Sequence, residues 1–195
     1  MPDLTRQTIL EAARKRFIHF GPRKTTMAEI AADCGMSVGN LYRFFDNKEA
    51  IVKAVAQWTH ENRFQAMVAA VDPAAPALAQ IAAALTARMR LTHQITASAP
   101  RIMEMIQEVI QNHPEVLVTL EAKTIDLLAG ILEEGMARGE IRRDDPRKLA
   151  AVIEHSSLRF NLPVFLAQLP LEQIQTELAD HLELLALGLA PRSAV

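Results

Sequence analysis

Cysteine is all but missing from this chain of 195 residues: Cys34 stands alone. That excludes an internal disulfide and any thiolate metal cage assembled within one chain. Tryptophan and tyrosine occur once each, as Trp58 and Tyr42, and glycine only seven times. β-Branched runs are short while alanine and leucine abound, so strands have little to form from and the expected fold is all-α. No stretch nears the ~18 consecutive apolar residues of a membrane span. Met1-Pro-Asp-Leu-Thr-Arg carries no apolar run of the signal-peptide kind, so the expected location is cytoplasmic, with no membrane partner. Catalytic signatures are wanting too: there is no glycine-rich phosphate loop, no H-E-x-x-H and no nucleophile with a placed base. His93, His113, His155 and His181 show no ligand-pair spacing, so neither a metal nor a cofactor is expected, and the chain does not read as an enzyme.

What is present is an ordinary globular composition, half apolar and 23% charged, long enough for one sizeable core or for a small domain beside a larger one. The net charge of −2 divides unevenly. Residues 1–63 hold ten Lys/Arg against seven Asp/Glu; residues 64–195 hold eleven against sixteen. A weakly basic head on an acidic body suits a protein whose N-terminal part alone meets phosphates.

Apolar periodicity predicts a first helix over 5–20, from Ile9, Ala12, Ala13, Phe17 and Phe20, stopped by Gly21-Pro22. Thr26 and Glu29 have capping-box spacing at the head of a second helix that ends near Cys34-Gly35. A third, short helix follows the cap Ser37, and a fourth starts after Asp46-Asn47 and runs to about Val71. Further helices are expected over 77–98, 100–112, 114–138, 146–168 and 170–188, with prolines near most of their starts and Pro163 kinking one of them.

Two short helices joined by a tight turn and braced by the first make a helix-turn-helix, whose second helix enters the DNA major groove with its N-terminal residues at the base edges. Here that helix opens Ser37-Val38-Gly39-Asn40, small or uncharged residues that let the backbone come close. Asn40 offers an amide for adenine and Val38 a methyl contact for thymine. Each also has a plainer reading: Ser37 as a cap alone, Asn40 as a solvated side chain, Cys34 as a small buried hydrophobe. In order and spacing, Ile9-Leu-Glu-Ala-Ala-Arg, Phe17, Gly21, Thr25-Thr-Met-Ala-Glu-Ile-Ala, Cys34-Gly-Met-Ser, Gly39-Asn-Leu-Tyr-Arg-Phe-Phe and Asn47-Lys-Glu-Ala resemble the signature of the tetracycline-repressor (TetR) family. The resemblance is continuous over about the first 55 residues; beyond them only length and helical layout correspond. It implies an N-terminal three-helix DNA-binding domain over 1–54 and a helical ligand-binding and dimerisation domain over 55–195. It further implies a homodimer that binds a pseudo-palindromic operator on double-stranded DNA. By motif position Tyr42 and Lys48 grip phosphates, Thr25 or Thr26 does so at a helix start, and Ser37, Gly39, Asn40 and Arg43 face the groove. Phe44 departs from the histidine common there, and Phe45 matches a core phenylalanine.

The rest of the chain says less. Met89, Met103 and Met105, with His93, His155 and Arg159, are the candidates for a pocket holding a small, largely apolar effector; core packing is the competing role. Arg88, Arg90, Arg101 and Glu104 are the further polar groups such a cavity would recruit. The last two helices are the dimer candidates, through Val152, Ile153 and Ser156 on one and Ile174, Leu178, Leu182 and Leu185 on the other. The expected function is ligand-responsive repression of transcription. The alternative is a TetR-like DNA binder acting through protein partners.

Overall fold

The computed structural model describes residues 2–167 and 169–191, and among these there are helices and no strands. In chain order they are α1 Pro2–Phe20, α2 Met27–Asp33, α3 Val38–Tyr42, α4 Lys48–Ala70, α5 Ala77–Ala97, α6 Ile102–Asn112, α7 Pro114–Ala137, α8 Pro146–Ser156, α9 Pro163–Leu166 and α10 Leu171–Leu189. A single 3-10 turn, Leu158–Phe160, lies between α8 and α9. The expected 146–168 helix is therefore corrected to three pieces. Pro163 forces extended backbone on the residue before it, and Leu162 sits at φ −95°, ψ 123°, so the chain stops and restarts where a kink was expected. None of the helices is long and apolar enough to cross a membrane.

The chain divides into two compact units, Met1–Glu61 with Thr96–Val118, and Asn62–Ile95 with Thr119–Val195. The sequence pattern suggests a single cut at 54/55 and gives no sign that α6 belongs with the head. The reason is tertiary: α6 packs on α1, and the Arg101 N–H donates to the Ile18 carbonyl at 2.8 Å. In the first unit Ile9, Ala13 and Phe17 of α1, Ile30 and Ala31 of α2, Leu41 of α3 and Ile51, Val52 and Val55 of α4 are buried. In the second unit Met67, Ile81, Leu85, Leu128, Leu132, Leu149 and Ile153 form one apolar cluster, and Met89, Phe160, Leu166, Ile174 and Leu178 form another. Helices α5 and α7 come unusually close there: a Cβ on Gly135 would lie 2.5 Å from the Ala77 Cβ and 2.9 Å from Ile141 Cγ1.

Candidate nucleic-acid interface

Local capping chemistry builds the head. The Thr26 Oγ1 accepts the Glu29 N–H at 3.3 Å, while the Glu29 carboxylate accepts the Thr26 N–H at 2.8 Å, closing a capping box at the start of α2. Glu29 is thereby held below the usual glutamate range, chiefly by the Thr26 backbone bond. The far end of α2 closes in a Schellman arrangement: Met36 N–H bonds to the Ala31 carbonyl and Gly35 N–H to the Ala32 carbonyl, both at 3.0 Å. Gly35 takes φ +65° to allow it, a conformation that side-chain-bearing residues resist. Ser37 then caps α3 by accepting the Asn40 N–H at 3.2 Å. Asn47 caps α4 by accepting the Ala50 N–H at 2.8 Å.

Helix α1 clamps this pair from behind. The Arg16 guanidinium forks onto the Asp33 carboxylate, with Nη2 to Oδ1 at 2.9 Å, and reaches Glu29 at 3.3 Å. The same fork holds Asp33 below the usual aspartate range. Leu41 on α3 and Phe45 just beyond its end are buried, and the Arg6 guanidinium covers the Phe45 ring at 5.0 Å. Ser37, Gly39, Tyr42 and Arg43 are exposed, with Val38, Asn40 and Lys48 half-buried at the edges. The outer face of α3 thus presents small groups at its N-terminal end and an aromatic hydroxyl and a guanidinium at its C-terminal end. Thr26 is exposed beside them; Thr25 is not. The Thr25 side chain is buried, its hydroxyl donates to the Gly21 carbonyl at 2.9 Å, and its N–H donates to the Pro22 carbonyl. Its expected phosphate role is corrected to that of an internal tie. Burial pushes the Cys34 thiol up, so it is held as a thiol rather than a reactive thiolate. The letters Gly35-Met36-Ser37-Val38-Gly39 also spell G-x-S-x-G, but a nucleophile elbow needs a strand-to-helix turn. Here the serine lies between two helices with its oxygen engaged in the cap.

The six pocket candidates are divided between the two units. Met103 is exposed in the first unit and Met105 is buried there. In the second unit Met89 is fully buried, and His93 Nε2 lies 3.3 Å from the Leu169 carbonyl. His155 and Arg159 are exposed and occupied by Glu121 and Glu177. A cleft of about 520 Å³ between Met136 and Arg143 is walled by Arg138, Arg142 and Arg143 and shares no residue with the expected set. A buried polar chain contains one of the expected polar groups, Arg88, joined to Glu154, Thr92 and Arg63, which the sequence does not single out. Arg88 Nη1 meets both oxygens of Glu154, at 2.8 and 2.9 Å, and the Thr92 hydroxyl donates to the Arg88 carbonyl. Arg63 Nη1 donates to that same hydroxyl at 3.3 Å. Burial and the like charge of Arg88, offset by Glu154, push the Arg63 guanidinium down to about 10. Among the described residues, no group of three His, Cys, Asp or Glu is placed to hold a metal ion.

The dimer stripe is corrected as well. Ile153, Ile174 and Leu178 are each about 1% exposed and fill the core of their own protomer, so they have no surface to offer a partner. Leu182 and Leu185 pack partly against the same core. The most exposed large apolar side chains of α8 and α10 are Val152, at 52%, and Leu184 and Leu187, at 68% and 75%; Ser156 is exposed as well.

Known proteins share this geometry. The family model described as bacterial regulatory proteins of the tetR family matches residues 9–55, and that described as a tetracyclin repressor-like C-terminal domain matches residues 77–180. An uncharacterized HTH-type transcriptional regulator of Bacillus subtilis, YhgD, is 30% identical over 155 residues, covering 76% of this chain and 78% of that one. A transcriptional regulator from Cytophaga hutchinsonii superposes with a TM-score of 0.74 at 21% identity, covering 94% and 97% of the two chains. AibR, solved with isovaleryl coenzyme A and operator DNA, superposes with a TM-score of 0.61 at 22% identity, covering 91% and 97%.

Proposed function

The chain belongs to the tetR family of bacterial regulatory proteins, and from that premise we propose that it is a dimeric repressor released from its operator by a small molecule. The observation that carries the reading is the outer face of α3. A capped five-residue helix, fixed by the Gly35 turn and the Arg16–Asp33 clamp, leaves Ser37, Gly39, Tyr42 and Arg43 exposed. Such a face fits a major groove, with Val38 and Asn40 at the base edges and Tyr42, Lys48 and Thr26 on phosphates. The dimer forms through the outward sides of α8 and α10, where Val152, Ser156, Leu184 and Leu187 have no apolar cover in one protomer. Two heads fixed in one dimer read half-sites about 34–36 Å apart. An effector that prefers another separation weakens operator binding by its differential affinity for the two states. That AibR was solved with both an acyl thioester and operator DNA supports the ligand-responsive reading over action through protein partners. Footprinting on DNA upstream of the protein's own gene tests it. The expected result is a protected pseudo-palindrome of two half-sites; protection without sequence preference, or none, refutes the proposal.

A further inference from the structure

Between α2 and α3 the positive φ of Gly35 lets the Met36 N–H close on the Ala31 carbonyl at 3.0 Å, which fixes the Met36 backbone immediately before the Ser37 cap. From there the Met36 sulfur lies 4.0 Å from the Asn40 amide nitrogen, which donates to it. The Asn40 backbone N–H is taken by the Ser37 hydroxyl at 3.2 Å, so Asn40 is held at two points. Both Met36 and Asn40 are half-buried. A primary amide has two ends of nearly equal shape, one that donates and one that accepts, and half a turn about its bond to Cβ exchanges them. A thioether accepts weakly and never donates. It therefore selects which end faces it: nitrogen inward, carbonyl oxygen outward. Among the described residues no hydrogen bond engages that oxygen. In a major groove the difference matters. Adenine sets the N6 amino donor beside the N7 acceptor, so the oxygen takes N6–H and the second amide hydrogen is left for N7. Guanine offers two acceptors there, O6 and N7, and an outward carbonyl oxygen is repelled by them.

We propose that Met36 is the positioning residue that makes Asn40 read adenine and reject guanine. The proposal rests on the reading of Asn40 as a base contact and adds the base it selects and the group that sets the selection. Met36 acts through the Asn40 amide: removing the sulfur frees the amide to turn over, and the turned amide offers its nitrogen to the acceptors of guanine.

The test uses the full-length protein and the operator found by footprinting, with each base pair of one half-site substituted in turn and affinities read by competition. Asn40→Ala marks the base pair that Asn40 reads, as the one where preference relaxes. There the wild type is expected to favour adenine over guanine. Met36→Leu, similar in volume but without an acceptor, is expected to cut that ratio about threefold or more. The other base pairs and the salt slope are expected to stay as in the wild type, and in the Asn40→Ala background Met36→Leu is expected to leave the ratio alone. Each ratio is taken within one variant, so any loss of folded protein cancels. An unchanged ratio in Met36→Leu, a change of like size at every base pair, or the same change in the Asn40→Ala background overturns the role of Met36 and leaves Asn40 as a reader. If Asn40→Ala relaxes no preference, the base-contact reading falls and the role of Met36 with it. No operator binding by the wild type refutes the regulator reading and this proposal together.

Discussion

Replacing Glu154 with leucine should destabilise the protein far more than removal of any exposed acid. Its side chain and that of Arg88 are each 5% exposed, and Nη1 of Arg88 lies within 2.9 Å of both carboxylate oxygens. Removing the acid leaves Arg88 and Arg63 as like charges in an apolar interior. Breaking one side of a buried pair costs ~3–5 kcal/mol. In a chain of this length, 1 kcal/mol moves Tm by about 2–4 °C, so Glu154→Leu should melt about 6–20 °C lower. The double variant Arg88→Met/Glu154→Leu removes the pair together and should recover most of that deficit. Glu177→Gln, which cuts the half-buried partner of the exposed Arg159, is the control and should shift the melt by far less. All melts need one protein concentration, because dimerisation makes Tm concentration-dependent. If Glu154→Leu melts with the wild type, or the double variant melts no higher than the single one, buried charge does not govern stability here.

Gly135→Ala should cost ~1–3 kcal/mol by forcing α5 from α7, since the added methyl meets Ala77 and Ile141; denaturant unfolding reads it. His181, on α10 against Ser156 and Ser157, is kept below its ordinary 6.5 by burial. The unfolded chain therefore takes up the proton first, so stability should decline as pH drops below about 6.5, and His181→Gln should flatten that slope in melts across pH 5–8. In the head, Lys48→Ala should weaken binding alike on all duplexes, whereas Asn40→Ala should relax preference at one base pair by ~1–3 kcal/mol; competition binding with substituted operators separates the two.

The head is legible in the sequence because its determinants are local. Thr26 with Glu29, Ser37 with Asn40, and Asn47 with Ala50 each act over three residues, and each cap forms where its letters stand. Thr25 shows the limit: its letter is that of a phosphate contact, but the backbone at Gly21 turns its hydroxyl inward. In the C-terminal part the deciding interactions span long separations. Arg88 and Glu154 are 66 residues apart, and nothing in either neighbourhood announces the other. On α10 the apolar period is visible in the sequence but its phase is not. Ile174 and Leu178 face their own core while Leu184 and Leu187 face out, and only the packing of α8 against α10 distinguishes the two stripes. Glu104 and Arg101, candidates for a cavity by their chemistry, instead pair with each other in the first unit.

Whether the α3 face binds DNA through phosphates as well as bases is decided by the operator affinity of the wild-type protein as salt is raised. A dimer gripping phosphates through Tyr42, Lys48 and Thr26 on each head should bind more weakly at high salt. With the Lys48 cation on each of two heads, the log–log plot should have a slope of about −2 or steeper, and Lys48→Ala should make it shallower by about one unit for each phosphate no longer held. A slope near zero in the wild type, or a slope unchanged by Lys48→Ala, contradicts phosphate binding by this face.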